Sequence, residues 1–307
     1  MPAIPKNIIE SVFYLYSTAN DASEGLNPVG TGFVVEVQNE FGLPRHHYAV
    51  TNWHVACQCG SVIRLPSGTG DPSVIDLGPD QWEFIPGKYD IAVTPLNLTE
   101  QQEQAISSVS TGAFVRSPET NPFVVGDDVF MLGLFVDHAG VSKNVPSARF
   151  GNISMLPDRA APVKQPTGFK GESYVVDMHS RTGYSGSPVF AYRTFAGDLR
   201  GRSWGYPFDI IIFNREHVGE PEKTLQEGGR ICVTPPFNLL GIHWGQFPEQ
   251  WKVERGNAKS NRVPVADYVQ GMSGMSVVIP SWCILEVLDL PKLKNQRAAA
   301  DAAINDR

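Results

Sequence analysis

The sequence lacks any apolar run close to the ~18 residues that a membrane-spanning helix needs. Its first segment, Met1–Glu10, lacks the apolar core and the small-residue cleavage site of a secretory signal. We therefore expect no membrane partner and a cytoplasmic location. Basic residues show little clustering, and 25 of them against 32 acidic residues give a net charge of -7. This balance argues against nucleic acid as a partner.

Cysteine is scarce, since the 307 residues contain only Cys57, Cys59, Cys232 and Cys283. Cys57 and Cys59 are too close in the chain for an easy mutual disulfide. Without an export signal, we expect all four to be reduced thiols. A metal site on Cys57, Cys59 and Cys232 is a minor alternative, because no C-x-x-C pair or histidine partner has zinc spacing. We expect neither a metal nor another cofactor.

Glycine and proline are abundant, with 29 and 24 residues, and favour many turns between short strands. Runs rich in β-branched and aromatic residues occur in both halves of the chain. A polar segment near residues 98–110 separates the halves. We predict an N-terminal lobe at 1–110, a C-terminal lobe at 111–290 with a long insertion at about 194–234, and a helical or disordered tail at 291–307.

A serine between two glycines lies in the second half, in the segment Gly183-Tyr184-Ser185-Gly186. The glycines allow a tight turn that can point the N–H groups of Gly183 and Ser185 at one position beside the Ser185 hydroxyl. Acyl transfer needs this combination of a nucleophile and an oxyanion hole. By itself, such a segment is more often an ordinary surface turn. The strand that we predict after it favours a β-barrel protease over the α/β-hydrolase fold.

Two further residues suit the same chemistry. His54 lies at the end of a predicted strand, and Asp90 precedes an apolar run that can carry its carboxylate inward. A satisfied structural histidine and an exposed turn aspartate are the plain alternatives. The order His54, Asp90, Ser185 predicts a triad: Ser185 is the nucleophile, His54 the general base and then acid, and Asp90 orients the imidazole.

The chain resembles the chymotrypsin-like (trypsin-fold) serine peptidases, in the bacterial branch that includes the glutamyl endopeptidases. The likeness covers roughly residues 10–290, and its matching segments are 30–34, 49–54, 90–93, 183–190 and 241–245. The resemblance implies an all-β fold of two antiparallel six-stranded barrels with a C-terminal helix and an active site in the cleft between the barrels. It also implies a serine endopeptidase that cleaves proteins or peptides through an acyl-enzyme.

The sequence departs from the digestive enzymes of this family in its activation. Tyr184 stands where those enzymes have an aspartate that pairs with a newly cut N-terminus, so that switch cannot operate here. The insertion at 194–234 is also longer than their hairpin, and is long enough to cover the cleft or bind a partner. Because an intracellular protease endangers its host, we expect narrow specificity or activation by a partner protein.

The resemblance further implies where the substrate side chain binds. The pocket would be formed by three segments of the chain. The first is Ser180, Arg181 and Thr182, the second is His243, Trp244 and Gly245, and the third is Ser273-Gly274. In relatives, a histidine at the position of His243 contacts an acidic or amide side chain, which favours cleavage after Glu or Asp, and less after Gln. Alternatively, His243 only packs beneath the barrel. A catalytically silent peptide-binding module and an esterase are the alternative functions.

Overall fold

The computed structural model describes residues 3–38, 45–67, 72–135, 138–140, 143–164, 168–180, 182–192, 237–252 and 268–305. The predicted insertion at 194–234, together with Arg181 and Cys232, lies outside the described residues.

The first half of the chain forms one seven-stranded sheet. Its strands are β1 (Val12–Tyr16), β2 (Gly30–Gln38), β3 (Arg45–Thr51), β4 (Val62–Leu65), β5 (Ser73–Asp76), β6 (Ala92–Pro95) and β7 (Val109–Ser110). They follow the order β5-β4-β1-β2-β3-β6, with antiparallel neighbours, and β7 pairs with β2 in parallel. An isolated antiparallel bridge joins Glu83 to Val93 of β6.

The second half forms a closed six-stranded barrel in the order β12-β15-β14-β13-β8-β9. Its strands are β8 (Asp128–Gly133), β9 (Ser147–Met155), β12 (Tyr174–Asp177), β13 (Pro188–Tyr192), β14 (Phe237–Lys252) and β15 (Tyr268–Pro280). A separate ribbon pairs β10 (Val163–Lys164) with β11 (Lys170–Gly171). The neighbouring strands of the barrel are antiparallel.

Together these sheets confirm the predicted all-β, trypsin-like class. The described part of the first sheet is a half-barrel, because its edge strands β5 and β6 are not paired with each other there. The division into lobes at 110 and 111 stays a prediction. The first sheet ends at Ser110 and the barrel begins at Asp128, so the predicted boundary falls between the two sheets.

In the part of the chain that the structure describes, five α-helices accompany the sheets: α1 (Lys6–Glu10), α2 (Ala19–Glu24), α3 (Glu100–Ala105), α4 (Ser281–Leu288) and α5 (Pro291–Asn305). In α3, Thr99 and Gln102 form a reciprocal capping box, which explains a helix in this polar segment. The tail helix α5 lies against β3, where Arg297 Nη1 donates to the Tyr48 hydroxyl at 2.9 Å. No helix among the described residues has both the length and the hydropathy to cross a membrane.

Strand β1 connects two hydrophobic cores. All five of its side chains are buried, and alternate residues point to opposite faces of a strand. Phe13 and Leu15 join a core within the first sheet, whereas Tyr14 and Tyr16 join a core that continues into the barrel. This two-sided burial accounts for the uninterrupted apolar and aromatic run of the strand.

A buried arginine also joins the two halves. Arg64 of β4 is 1% exposed, and its guanidinium lies 5.5 Å from the ring centroid of Tyr16. It donates to the side chain of Asn144 at 3.0 Å and to the carbonyl of Gly140 at 2.9 Å, both in the connection from β8 to β9. Asn144 Nδ2 donates back to the carbonyl of Arg64 at 2.9 Å. Arg64 therefore fastens this connection to the first sheet.

We predict that Arg64→Met lowers the free energy of unfolding by about 2 to 4 kcal/mol, because buried carbonyl groups lose their donor. Urea denaturation measures the change. Arg159→Met is the matched control, since Arg159 is largely exposed and pairs with Glu172 on the surface. It should leave stability within experimental error, and equal losses in the two variants would contradict the role of Arg64.

Candidate active site

The end of β3 delivers a histidine to a buried carboxylate. His54 follows β3 by three residues and precedes a turn of π-helix at Val55–Cys59. Its Nδ1 lies 2.6 Å from Oδ2 of Asp90, and its backbone N–H donates to Oδ1 of the same carboxylate at 2.9 Å. Asn52 Nδ2 donates to the carbonyl of Asp90 at 2.8 Å. The sequence prediction that Asp90 is carried inward agrees with its 0% exposure.

This pairing selects one form of the imidazole. A carboxylate beside Nδ1 accepts a hydrogen bond from an N–H at that nitrogen, so Nε2 of the neutral ring keeps its lone pair. The second contact, from the backbone N–H of His54, fixes the carboxylate relative to the histidine main chain. His54 can thus accept a proton at Nε2, and Asp90 can stabilise the resulting positive charge.

The serine turn has the backbone geometry that its glycines permit. Gly183 and Gly186 have φ angles of +96° and +87°, which L-residues with a side chain rarely adopt. The N–H of Ser187 donates to the carbonyl of Tyr184 at 3.0 Å, which closes the turn. Gly186 N donates to the carbonyl of His243 at 2.9 Å, and this bond holds the turn against β14.

Two N–H groups of this turn remain available for a ligand. Within the described part of the chain, neither Gly183 N–H nor Ser185 N–H donates to a protein acceptor. Both belong to the segment whose glycines permit a tight turn around Ser185. The arrangement suits two donors that bind a negatively charged oxygen beside the hydroxyl of Ser185.

Thr31 of β2 connects the serine turn to the first sheet. Its N–H donates to the carbonyl of Ser185 at 2.9 Å, and its hydroxyl donates to the carbonyl of Gly183 at 2.7 Å. The same hydroxyl accepts from Leu134 N at 3.0 Å, while Thr51 Oγ1 donates to the Thr31 carbonyl at 2.6 Å. Because Thr51 is three residues before His54, these bonds bring the histidine segment and the serine turn together.

The hydroxyl of Ser185 is directed at a backbone carbonyl. It donates to the oxygen of Trp244 at 3.2 Å, and among the described residues no hydrogen bond joins it to His54. The structure therefore unites His54 with Asp90, and places Ser185 beside Trp244. Unliganded enzymes often have loose contacts between a nucleophile and its base, so this geometry does not exclude catalysis. A rotation about the Cα–Cβ bond of Ser185 would redirect the hydroxyl.

The segments predicted to form a specificity pocket lie close to one another. Met178 N donates to the carbonyl of Gly274 at 2.9 Å, and the Met178 carbonyl accepts from Ser276 Oγ at 2.8 Å. Ser180 is half-buried and Thr182 is exposed, whereas Arg181 lies outside the described residues. In the described structure no atom lies within 4 Å of the position that a Cβ of Gly245 would take. The side chain of the neighbouring Trp244 is buried.

His243 is buried beneath this region with an exposure of 1%. Its Nδ1 lies 3.1 Å from the carbonyl of Tyr184, so Nδ1 carries the proton. Its Nε2 has no hydrogen-bond partner among the described residues. Burial lowers the pKa of His243 to about 4, and a charge on His54 acts in the same direction. The side chain is thus neutral near pH 7, with an acceptor at Nε2.

Sequence reasoning did not single out His179, which directly precedes Ser180. Its side chain is exposed, and its ring lies against Gly274, where an added Cβ would be 3.1 Å from Cε1 of the ring. Gly274 has a φ of +83° and forms part of the predicted pocket. The sequence feature that could have identified His179 is its position immediately before Ser180, the first residue of the predicted pocket segment.

The cysteines near His54 do not have the character of nucleophiles. Burial, with a smaller effect of Asp90, raises the pKa of both Cys57 and Cys59, which disfavours the reactive thiolate. Both are free thiols, as is Cys283. The described ranges contain no group of three or more His, Cys, Asp or Glu side chains that could hold a metal ion.

We predict that Gly186→Ala lowers the free energy of unfolding by about 3 kcal/mol or more, because of backbone strain and overpacking. An added Cβ would lie 1.9 Å from the carbonyl oxygen of Thr31. Gly87→Ala is the matched control: its φ is +70°, and no atom of the described residues lies within 4 Å of the position that its Cβ would take. The control should lose only about 1 kcal/mol of unfolding free energy. Thermal and urea denaturation measure the loss in each variant, and losses of similar size in the two variants would refute the steric argument.

Several solved proteases are similar to this chain. The HtrA-type protease AlgW, solved with a decapeptide, is 15% identical over 85% of this chain with a TM-score of 0.43, and the match spans 51% of its own length. The Rv3671c protease from M. tuberculosis in its active form is 15% identical over 92% of this chain and 80% of its own, with a TM-score of 0.42. Its inactive form is 14% identical over 92% and 88%, with the same TM-score.

A search of curated protein sequences found no significant match. The family model of the trypsin-like peptidase domain matches residues 30–196. That range includes His54, Asp90 and Ser185 and accounts for more than half of the 307 residues. The chain therefore belongs to the trypsin-like peptidase domain family.

Proposed function

We propose that this protein is a serine endopeptidase that uses His54, Asp90 and Ser185. The observation that carries the proposal is the pair of hydrogen bonds from His54 to the buried carboxylate of Asp90. Such a carboxylate is costly to bury unless it is paired, and its partner here is an imidazole left basic at Nε2. Thr31 links this pair to the turn that presents Ser185.

The proposed reaction begins when the hydroxyl of Ser185 attacks the scissile carbonyl carbon. His54 Nε2 takes the hydroxyl proton, and the positive charge of the imidazolium is stabilised by Asp90. The N–H groups of Gly183 and Ser185 bind the tetrahedral oxyanion. His54 then protonates the leaving amine, which leaves an acyl-enzyme on Ser185. A water molecule, deprotonated by His54, attacks the ester and releases the new carboxylate.

The substrate backbone would bind as an additional strand. β14 pairs with β13 only as far as Ile242, opposite Pro188, and beyond His243 this edge of β14 pairs with no other described strand. An exposed strand edge offers N–H and C=O groups to an extended peptide. The carbonyl of Trp244, which now accepts from Ser185, belongs to this edge and could accept from the peptide once the serine turns to His54.

We further propose cleavage after acidic residues, as in the glutamyl endopeptidase branch. Two imidazoles support this preference: the exposed ring of His179 at Gly274, and the buried ring of His243. His243 in its neutral form offers an acceptor at Nε2, which suits an amide or a protonated carboxyl group. A carboxylate would require a second proton on His243, and the negative charge would itself raise the pKa of the ring.

A catalytically silent peptide-binding module is the second candidate. The observation that favours it is the hydrogen bond from Ser185 to Trp244, which turns the nucleophile away from its base. The same edge of β14 would then hold a peptide without cleaving it. Activation by a partner protein, which we also propose, would redirect Ser185 to His54 and convert this state into an active enzyme.

We predict that a fluorophosphonate labels Ser185 in the wild-type protein and that His54→Ala abolishes the label, because the serine then lacks its base. Intact mass and peptide mapping locate the adduct. Asp90→Asn should fold and label at least a hundredfold more slowly, since the triad loses orientation and charge stabilisation. Ser187→Ala is the control for a serine of the same turn and should label normally.

Absence of the adduct from well-folded wild-type protein would contradict the endopeptidase proposal. If that protein binds peptides, and the Ser185→Ala variant binds them equally well, the result would support the silent peptide-binding module. Labelling that appears only in the presence of a host-cell extract would instead support a partner-activated protease.

We predict that the KM for substrates with Glu before the scissile bond rises from about pH 6 to pH 8. Binding the carboxylate requires His243, which is neutral in the free protein, to take up a proton from solution, and this uptake becomes less favourable as the pH rises. Matched Gln substrates should show a flat KM over this range. His179→Ala should weaken Glu substrates more than Gln substrates, by roughly tenfold. A cleavage profile with Arg, Lys or aromatic residues before the scissile bond would discard the acidic preference.

A further inference from the structure

We propose that Tyr184 is a positioning residue that sets the oxyanion turn through hydrogen bonds of its hydroxyl with Ser147 and Arg149. This inference rests on the proposed function, because the turn is the one that presents Ser185. Tyr184 is adjacent to the nucleophile in the chain and is 0% exposed. Its side chain therefore points into the protein, whereas the neighbouring Ser185 is only half-buried.

The phenol of Tyr184 ends at two polar side chains of β9. Its hydroxyl forms a hydrogen bond with Ser147 Oγ and accepts from Arg149 Nε at 3.2 Å. The guanidinium carbon of Arg149 also lies 5.7 Å from the centre of the Tyr184 ring. Hydrogen bonds that involve a charged donor are stronger than neutral ones, so Arg149 is the more important partner.

The backbone of Tyr184 is held as firmly as its side chain. Its carbonyl accepts from Ser187 N at 3.0 Å and lies 3.1 Å from His243 Nδ1. With the phenol fixed at β9 and the carbonyl fixed at β14, the residue has little freedom to rotate. The peptide group that follows it carries the N–H of Ser185 and is restricted with it, while the peptide group before it is held by the bond from Thr31 to the Gly183 carbonyl.

The packing around the ring supports the same role. A Cβ on Gly133 of β8 would lie 2.6 Å from Cδ1 of Tyr184 and 2.2 Å from Oγ of Ser187. The ring thus fills the space that this glycine leaves between the barrel strand and the turn. Because the hydrogen-bond partners of Tyr184 in the described ranges belong to the barrel and to the turn itself, the fold can order this turn without any newly cut chain end.

The test compares Tyr184→Phe and Arg149→Gln with wild type. Tyr184→Phe removes the hydroxyl and both of its hydrogen bonds but keeps the ring, and Arg149→Gln removes the charge and shortens the donor side chain. We expect kcat to fall roughly tenfold to a hundredfold with KM within about twofold of wild type, as for donors that act only in the transition state. Hydrogen exchange of the N–H groups in residues 183–187 should become faster in both variants. Arg149→Lys, which keeps a charged donor, should recover most of the loss.

Tyr16→Phe is the matched control, because its buried hydroxyl has no hydrogen-bond partner among the described residues. It should leave kcat, KM and exchange in the turn unchanged. Wild-type kcat and unchanged exchange in Tyr184→Phe would overturn the inference while the proposed function stands. If the wild-type protein neither labels nor cleaves, the proposed function fails, and the exchange rates in the turn alone decide whether Tyr184 anchors it.

Discussion

The arrangement of the candidate active site depends on one threonine. Thr31 uses its N–H, its hydroxyl and its carbonyl in four hydrogen bonds, to Ser185, Gly183, Leu134 and Thr51. These bonds join the serine turn, the end of β8 and the end of β3 at a buried point. A single residue can serve all of these segments only because Gly186 has no side chain, which lets the carbonyl of Thr31 approach the turn. Ser185 and His54 are thereby placed by the junction between the two sheets.

This junction needs support from both sides. On the side of the first sheet, Tyr14 and Tyr16 extend a core into the barrel, and Arg64 fastens the connection from β8 to β9. On the side of the barrel, the same connection ends at β9, where Ser147 and Arg149 meet Tyr184. The contacts of Arg64 and the contacts of Tyr184 therefore lie close together along one segment of the chain. A shift of that segment would change both the packing of the halves and the turn around Ser185.

Local sequence patterns predicted the strands, the serine turn and the pairing of His54 with Asp90, because those features follow from nearby glycines, apolar runs and the cost of burying a carboxylate. The partners of Thr31, Arg64 and Tyr184 were not predictable in this way. Arg64 and Asn144 are 80 positions apart, and Tyr184 and Ser147 are 37 apart, so only the fold brings them together. The sequence patterns also did not show which of the two sheets closes into a barrel. The second sheet closes, whereas β5 and β6 are not paired with each other in the described first sheet, and this difference depends on how the strands are tilted and staggered.

A charge on one histidine of the site disfavours a charge on the other. Burial lowers the pKa of His243 to about 4, and a positive charge on His54 acts in the same direction. In the proposed reaction His54 becomes positively charged when it takes the proton of Ser185, and a neutral His243 spares it a repulsion. A substrate carboxylate acts on His243 in the opposite direction, because it favours the charged ring. In the proposed cleavage after acidic residues, the proton is therefore taken up while His54 is still neutral, at the binding step and before the attack by Ser185.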